Sequence, residues 1–484
     1  MKKKQESPHR KYYVATSAAV FCGLLSTLAF AGDTQDDSSY SPPKYKALRF
    51  NEDWSSMPAN YGDWSDRLKK INLDDTGDYW LSLGGQFRVR GEVWRSFGFK
   101  DASTNDDEFA LFRNYYWADL HLGENLRVFA QGRSNFSTDR NLPGGKRAAL
   151  DVDTLDLLDG FVDYTIPFDD GGSLTLRGGR QELLFGKQRL ISPLDWSNNR
   201  RTFDGGRFIF QPEDHSWKLD GFITSPVKTS KYAFSNSDDN RLFWGLYFNT
   251  KLDEKKYDLD AYVLGLHQKA RKYGSVTANE DRYTIGARLD GPIADGFAFD
   301  VESAGQLGSF GSQDIQAWMV ASEVNYKFAD NDWNPVIALG FDYASGDDSS
   351  TDGDLNTFNQ LFPLGHAYLG YIDIVGRQNI MDLRLTGIVW PMPKKLKLKA
   401  DMHYLRRANE NDSLYNAGGG VVRAGGPGTS KDVGWEFDLT AKYILDRHSN
   451  IAGGYSHFFA GNFLDDVPPN DDIDFVWLQY QFTF

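Results

Sequence analysis

The sequence predicts an all-β fold, a transmembrane antiparallel β-barrel of about 18 strands, from three observations. Aromatic residues make up 15% of the 484 residues and glycine contributes 47, while the apolar fraction is only 40%. Segments in which apolar and polar residues alternate recur along the chain. The last of them alternates through Val476, Leu478, Tyr480 and Phe482 to the terminal Phe484. A barrel needs only every second residue to be apolar, so its hydropathy stays that of a soluble protein.

Alternation with a period of two defines the predicted strands, because successive side chains of a strand point to opposite faces. In the first strand Leu81, Leu83 and Phe87 share one face, while Arg88 and Arg90 fall on the other. The predicted strands lie near 80–97, 109–122, 126–138, 155–166, 173–183, 205–211, 216–224, 241–251, 257–267, 281–290, 296–306, 315–328, 333–344, 378–390, 395–405, 432–446, 449–459 and 473–484.

The connections between these strands alternate between long and short ones. Long connections include 139–154, 225–240, 345–377 and 406–431, and tight ones include 123–125, 330–332 and 391–393. Long extracellular loops and short periplasmic turns are typical of outer-membrane barrels. A soluble β-sandwich or propeller is the alternative, but the length of the strands suits a tilted bilayer crossing and no blade-like repeat is present.

The N-terminal segment 1–31 has the features of a secretory signal peptide. Basic residues in 1–11 precede an apolar run from Val14 to Phe30, and Ala29 and Ala31 supply small residues for cleavage after Ala31. The single cysteine, Cys22, lies in the removed segment, so we expect no disulfide or cysteine-bound metal in the mature chain. The formal net charge of −14 argues against nucleic acid as a partner.

The mature chain divides into a leader and a barrel. Residues 32–78 are rich in Asp, Ser and Pro without sustained alternation, so they form a leader that lies in the periplasm or folds into the mouth of the barrel. Residues 79–484 form the barrel. Its last strand must pair with its first, because an open sheet edge is not tolerated in lipid.

Charged side chains on the polar faces of the strands are predicted to line the lumen. Two interpretations are open. The charges can pair across neighbouring strands and hold a water-filled wall, or arginines of the early strands can exceed their partners and form a positive constriction that selects anions. The arginines on these faces are Arg88, Arg90, Arg113, Arg127, Arg133, Arg207, Arg288 and Arg384, and the acids include Glu92, Asp119, Asp163, Glu323, Asp382 and Glu436.

The segment 179–207 is unusually basic and is predicted to fold into the lumen as a loop. Strict alternation from Leu174 and Leu176 would direct Arg180 toward lipid, which is costly. We therefore expect a bulge at Gly178 and Gly179 that turns Arg180 inward.

No pattern in the sequence predicts catalysis. The histidines are scattered and no nucleophile motif is present, so we expect neither an enzyme nor a cofactor. The acidic loop 345–354 could offer oxygen ligands to calcium, but its spacing does not match a calcium-binding loop and a solvated acidic loop is the simpler interpretation.

The chain resembles the alginate export family of outer-membrane porins, and looks closer to a broad branch of it than to the exporter itself. The similarity rests on the leader segment 49–55, on 79–92 and the final strand, and on these further segments: Gly179 to Gln181, Phe203 to Gly205, Ala344 to Asp347, Phe358 to Pro363 with His366 and Gly370, and Gly434 to Glu436.

The resemblance implies an eighteen-stranded barrel with an arginine-rich lumen that passes polyuronate. The positions that match this role are Arg88, Arg90, Arg113, Arg133, Arg180, Arg189 and Arg207. We expect a passive outer-membrane channel of a Gram-negative bacterium for anionic saccharides or alginate-like polyuronate, with lipid and the barrel assembly machinery as partners. The alternatives are a nutrient-uptake porin with no polysaccharide role and a plugged structural or adhesive barrel.

Overall fold

The computed structural model describes residues 40–58, 61–273, 276–329, 331–349 and 351–484. The predicted signal peptide and the start of the leader lie outside these residues.

The described part of the chain contains eighteen long strands, as predicted. They are β1 Tyr79–Arg95, β2 Asp107–Leu122, β3 Leu126–Ser137, β4 Asp153–Pro167, β5 Ser173–Gln181, β6 Phe203–Gln211, β7 Trp217–Lys228, β8 Arg241–Leu252, β9 Tyr257–Tyr273, β10 Val276–Ala294, β11 Phe297–Phe310, β12 Gln313–Lys327, β13 Val336–Ala344, β14 Ile380–Met392, β15 Leu396–Arg406, β16 Asp432–Ile444, β17 Ser449–Ala460 and β18 Ile473–Thr483.

Shorter elements accompany the long strands. They are the strands Ile71–Asn72, Asn236–Ser237, Asp354–Leu355, Leu414–Tyr415 and Val421–Arg423, the 3₁₀ turns Arg49–Asn51 and Asp66–Leu68, and the helices α1 His366–Leu369 and α2 Asn462–Asp466. Within the described ranges no helix is long and apolar enough to cross a membrane.

The sheet is a closed antiparallel barrel. Each long strand pairs with the next one along the chain, and β18 pairs with β1 over ten residue pairs from Arg95 opposite Asp474 to Gln86 opposite Thr483. The terminal Phe484 continues this seam, because its N–H donates to the Gly85 carbonyl at 2.9 Å and its carbonyl accepts from Gly85 N–H at 3.0 Å. Closure leaves none of the eighteen long strands with an unpaired edge.

The two faces of the barrel differ as the alternation predicts. On β14, Leu383 and Leu385 are exposed on the outer surface, whereas Asp382 and Arg384 are buried inside. The same division holds on β18, where Val476 and Leu478 are among the exposed apolar side chains. The outer surface is therefore apolar and the interior is charged, which suits a barrel surrounded by lipid.

The connections lie at two ends, which we call the long-loop end and the short-turn end. The alternation between them is not as strict as predicted. Predicted connections at 268–280 and 307–314 continue largely as paired strands, so that β9 and β10, and β11 and β12, form extended hairpins at the long-loop end. These hairpins extend beyond the lipid, so their outer faces carry polar residues. Their sequence therefore lacks the apolar–polar alternation that predicts a membrane-spanning strand.

Two long loops fold into the barrel and meet. We call residues 182–202 inner loop 1 and residues 345–379 inner loop 2. Ile191 and Phe362 form a parallel bridge, in which Ser192 N–H donates to the Phe362 carbonyl and Phe362 N–H donates to the Leu190 carbonyl, both at 2.9 Å. The prediction that the basic segment 179–207 folds into the lumen as a loop is therefore confirmed for 182–202, whereas 179–181 and 203–207 belong to strands β5 and β6.

The leader occupies the mouth of the barrel at the short-turn end. Phe50 packs edge-on against Phe129 of β3 and Phe161 of β4, with ring centroids 5.6 and 5.1 Å apart. The Phe50 carbonyl also accepts from Arg127 at 2.7 Å, and the ammonium of Lys69 donates to the Leu83 carbonyl at 2.9 Å. Since the side chains of Phe129 and Phe161 are buried on the inner face, part of the leader lies within the lumen.

Candidate functional site in the lumen

Arginines of the first two strands hold inner loop 1 in place. Arg88 donates to the carbonyls of Asp195 and Ser197 at 3.0 and 2.8 Å, and Arg113 donates to the same two carbonyls at 2.7 and 3.2 Å. Arg90 donates to the Trp196 carbonyl at 2.8 Å and pairs with Glu92. All three arginines face inward as predicted, but each donates its hydrogen bonds to the loop backbone or to a neighbouring side chain.

Arg133 completes this set on β3. Its guanidinium lies 2.7 Å from Asp153 and 3.1 Å from Asp156, and it donates to the Arg200 carbonyl at 3.0 Å. Five donors in a planar fork let one arginine bind carboxylates and a carbonyl at the same time. Inner loop 1 is thus fixed to the wall through the four predicted arginines Arg88, Arg90, Arg113 and Arg133.

The other predicted arginines lie elsewhere. Arg189, on inner loop 1, pairs with Asp300 at 2.7 Å and Glu302 at 3.1 Å on β11. Arg207 on β6 pairs with Asp220 at 2.5 Å. Arg189 thus connects inner loop 1 to the wall, and Arg207 connects β6 to β7.

The predicted bulge at Gly178 and Gly179 is wrong. The register through β4, β5 and β6 is unbroken, with Arg180 opposite Gly160 on one side and Asp204 on the other. Arg180 donates to the Asp204 carboxylate at 2.7 and 3.0 Å and to the Ser235 carbonyl at 2.9 Å. A carboxylate on the next strand and the loop above enclose this charge, so no bulge is needed.

Many of the remaining wall charges pair across neighbouring strands, as the first of the two interpretations predicts. The bonds are short. Three of the pairs join adjacent strands, and Arg384 on β14 reaches Glu323 on β12 across the intervening β13. The pairs are Arg127 with Asp119 at 2.6 Å, Arg177 with Asp163 at 2.7 Å, Arg288 with Asp300 at 2.6 Å and Arg384 with Glu323 at 2.6 Å.

A cavity of about 580 Å³ lies between the inner loops and the long-loop end. We call it the arginine cavity, because seven arginines and only three carboxylates line it. The arginines are Arg90, Arg140, Arg147, Arg200, Arg201, Arg241 and Arg271, and the carboxylates are Glu92, Asp151 and Asp373. The lining therefore carries more arginines than carboxylates, although Glu182 and Asp238, which are not lining residues, pair with Arg200 and Arg241.

Aromatic rings share the lining of the arginine cavity. Trp196 lies under Arg90, whose guanidinium carbon is 3.9 Å from the ring centroid. Tyr371 packs edge-on against Trp196 at 5.6 Å, and on the opposite side Trp94 stacks on Phe475 at 4.0 Å. Flat apolar faces and guanidinium groups are therefore presented together.

Two cavity arginines, Arg201 and Arg271, make no short ion pair with a described carboxylate, although Glu280 interacts with Arg271 electrostatically. Among the described residues no carboxylate lies within 4.0 Å of Arg201 or Arg271. Arg201 donates to the Ser192 carbonyl at 3.1 Å and lies 5.4 Å from the centroid of Phe362. Its burial, together with the nearby charge of Arg241, lowers the pKa of Arg201 to about 10. A half-buried cation without a nearby counter-charge is an attractive position for an anion.

Asp373 of inner loop 2 is the acid in the cavity that can titrate near neutral pH. Burial and the neighbouring charge of Glu92 raise the pKa of Asp373 to about 7, although Arg147 and Arg90 oppose this shift. His366 lies 3.8 Å away, and burial with the charges of Arg90 and Lys399 lowers the pKa of His366 to about 3. His366 is therefore neutral while Asp373 titrates.

The described part of the acidic loop 345–354 is held by hydrogen bonds to neighbouring segments. Over the described ranges, no group of three or more His, Cys, Asp or Glu side chains is arranged to hold a metal ion. Asp347 N–H donates to Asp412, and Asp348 accepts from Asn356 at 3.2 Å.

Sequence reasoning missed most of the arginine cavity. Only Arg90 belongs both to the cavity and to the predicted set of site residues. Arg140 and Arg147 lie on the loop between β3 and β4, and Arg241 and Arg271 lie near strand ends at the long-loop end. The number of basic residues in the long connections could have indicated the cavity. The alternation of side chains along strands, from which the lumen residues are predicted, takes no account of loop residues.

The closed barrel, its apolar exterior and its charged lumen define an outer-membrane β-barrel of the porin class. The family model for alginate export matches residues 79–476, and the chain belongs to this family.

Solved porins of Pseudomonas aeruginosa share the fold at low sequence identity. OpdO superposes with a TM-score of 0.56 at 12% identity over 83% of this chain and 97% of its own. OpdK with vanillate gives a TM-score of 0.54 at 12% identity over 83% and 98%. OccK2 (OpdF) in complex with glucuronate gives 0.52 at 12% identity over 86% and 98%. No curated protein sequence matches the chain.

Proposed function

We propose that the protein is a passive outer-membrane channel for anionic saccharides, with uronates and alginate-like polyuronates as the substrate class. The arginine cavity carries this proposal, because seven arginines face three carboxylates inside the lumen. Guanidinium groups bind carboxylates in a planar, bidentate manner and stay charged at any physiological pH. A ring of such charges favours anions over cations in a pore.

The aromatic residues support the saccharide part of the proposal. Trp196, Tyr371 and Trp94 present flat apolar surfaces next to Arg90. A sugar ring has apolar C–H faces and polar edges, so a uronate can place its face on an aromatic ring and its carboxylate on an arginine. The complex of OccK2 with glucuronate is consistent with such a ligand in this fold.

A nutrient-uptake porin with no polysaccharide role is the second candidate. The cavity volume of about 580 Å³ falls in the range of small-molecule sites, and the two inner loops meet within the lumen. OpdK with vanillate is an example of this fold with a small aromatic acid. A plugged structural or adhesive barrel is the third candidate, since loops and leader fill part of the lumen.

The location follows from the class of protein. We propose that the chain resides in the outer membrane of a Gram-negative bacterium after cleavage near Ala31, with its apolar exterior in lipid. The alternating strand that ends at Phe484 is the segment that we expect the barrel assembly machinery to bind. The proposal assigns no enzymatic reaction and no cofactor.

Planar-bilayer recording with the full mature chain tests the proposal. We expect open channels that prefer chloride to potassium and that are blocked by mannuronate oligomers but not by neutral maltodextrins. Block by vanillate without block by uronates would favour the nutrient-uptake candidate. Absence of conductance would favour the plugged barrel, and cation preference would contradict an anionic substrate.

A further inference from the structure

A second cavity lies beside the arginine cavity, where the β9–β10 hairpin faces the loop between β15 and β16. Its volume is about 550 Å³. It is lined by Gln268, Ala270, Arg271, Lys272, Ser413, Gly418, Gly419, Gly420, Val421 and Ala424. Two of these residues are basic, and none of these lining residues is acidic.

The two cavities adjoin at Arg271. Gln268, Arg271, Gly418 and Gly419 line both of them. Arg271 therefore stands at the boundary, with the arginine cavity on one side and the second cavity on the other. Its guanidinium can therefore interact with an anion in either cavity.

A β-bulge places Arg271 at this boundary. The pairing of β9 with β10 shifts between Gln268 and Arg271, and Ala270 has a positive φ of 50°. Without the irregularity, Arg271 would lie on the face opposite the buried Gln268. Bulges commonly redirect a side chain in this way, at the expense of local pairing.

Glycines on the opposite loop make room for the guanidinium. Gly419 has a φ of +76°, and a Cβ atom on it would lie 3.1 Å from Nη2 of Arg271 and 2.8 Å from Oε1 of Gln378. Arg271 itself packs 4.9 Å from the ring centroid of Tyr273, and its Nε has no hydrogen-bond partner in the described part of the chain. The guanidinium also hydrogen-bonds the Tyr273 side chain and interacts electrostatically with Glu280, so its unpartnered Nε is the donor that a ligand could accept from.

We infer that the second cavity is an outer anion subsite, built by Arg271 and Lys272, which binds one carboxylate of a chain whose next residues occupy the arginine cavity. This inference rests on the proposed function and sharpens its substrate class to oligouronates. Two linked carboxylates that engage adjacent subsites bind more tightly than one, because the second binding event is intramolecular. The second cavity would thus distinguish a uronate chain from a single uronate.

Block of single-channel current measures the affinity of the channel for a single uronate and for a uronate chain. The probes are glucuronate and a mannuronate hexamer, applied from the long-loop side to the wild-type chain and to two variants. For the wild type we expect the hexamer to bind at least about tenfold more tightly than the monomer.

The variants separate the two cavities. Lys272→Gln removes an exposed charge that lines only the second cavity, so we expect hexamer affinity to fall about two- to fivefold while monomer affinity stays the same. Arg271 lines both cavities, so Arg271→Gln should weaken the binding of both probes. Lys255→Gln, on the short turn between β8 and β9, is the matched control and should change neither.

Each possible result decides the inference. Equal block by monomer and hexamer, or equal loss of both with Lys272→Gln, would overturn the outer subsite while leaving an anion channel in place. Absence of block by either probe would overturn the proposed uronate function as well.

Discussion

At the scale of single residues, position matters more than the number of arginines in the lumen. Arg88, Arg90 and Arg113 are buried against the backbone of inner loop 1. Arg201 differs, because none of the described carboxylates pairs with it and it lines the arginine cavity. Ion selectivity should therefore depend more on Arg201 than on the arginines that fix the loop.

We predict that Arg201→Gln lowers the preference for chloride over potassium about twofold, because a charge a few ångströms from the permeating ion changes its local concentration. Reversal potentials in a KCl gradient measure this preference. Lys255→Gln is the control for loss of a positive charge outside the lumen. Unchanged selectivity in Arg201→Gln would mean that ions bypass the arginine cavity.

Asp373 predicts a pH dependence of selectivity. Because its pKa is raised to about 7, the carboxylate is largely ionised at pH 8 and largely protonated at pH 6. Protonation as the pH falls removes a negative charge, so the cavity becomes more positive and anion preference rises. His366 does not contribute, because its pKa is near 3.

The variant Asp373→Asn isolates this effect. We expect it to show at pH 8 the higher anion preference that the wild type reaches near pH 6, and to change less than the wild type between these values. Reversal potentials across a pH series provide the measurement. The same pH dependence in both proteins would assign the titration to another group.

At the scale of elements, close contacts between strands β4, β5, β6 and β7 require glycine. Gly179 has a φ of +135°, and a Cβ atom on it would lie 2.3 Å from the Gly160 carbonyl. Gly205, its partner on β6, has a φ of +156° and would meet the Ile223 carbonyl at 2.2 Å. The backbone here, and not a bulge, sets the position of Arg180.

We predict that Gly179→Ala lowers the free energy of unfolding by about 1–3 kcal/mol, since alanine is strained at this φ and collides with β4. Gly178→Ala is the matched control, because nothing lies within 4 Å of a Cβ atom there. Urea titration of the barrel in lipid vesicles, followed by tryptophan fluorescence, measures both. Equal stability of the two variants would contradict the strain argument.

The strands could be predicted from sequence because alternation is a local signal imposed by lipid on one face and water on the other. The destinations of the loops could not, since the partners of Arg88 and Arg113 are backbone carbonyls of a distant segment. The position of Arg271 depends on a bulge at Ala270, where the sequence has neither a glycine nor a proline that would predict it. Local alternation thus predicts the wall, while the site depends on tertiary contacts.

At the scale of the whole molecule, the lumen is occupied from both directions. The inner loops meet in its middle, and the leader enters from the short-turn end, where Arg200 of inner loop 1 donates to the Ala47 carbonyl at 2.9 Å. The seam between β1 and β18 lies beside both, because Gly85 binds Phe484 and Leu83 binds Lys69. Leader, inner loop and seam therefore form one connected structure, and loosening the leader should affect conduction.

We predict that the double variant Phe50→Ala with Trp54→Ala releases the leader and raises single-channel conductance. Both side chains are buried, and loss of a buried aromatic ring costs about 3–5 kcal/mol. Trypsin should then cleave after Arg49, which is buried in the wild type.

Lys44→Ala, at an exposed position of the same leader, is the control and should keep both the resistance to trypsin and the wild-type conductance. Cleavage of the double variant without a change in conductance would mean that the leader stabilises the barrel but does not limit the current. A rise in conductance together with cleavage would instead show that residues 47–57 limit the current at the short-turn end of the lumen.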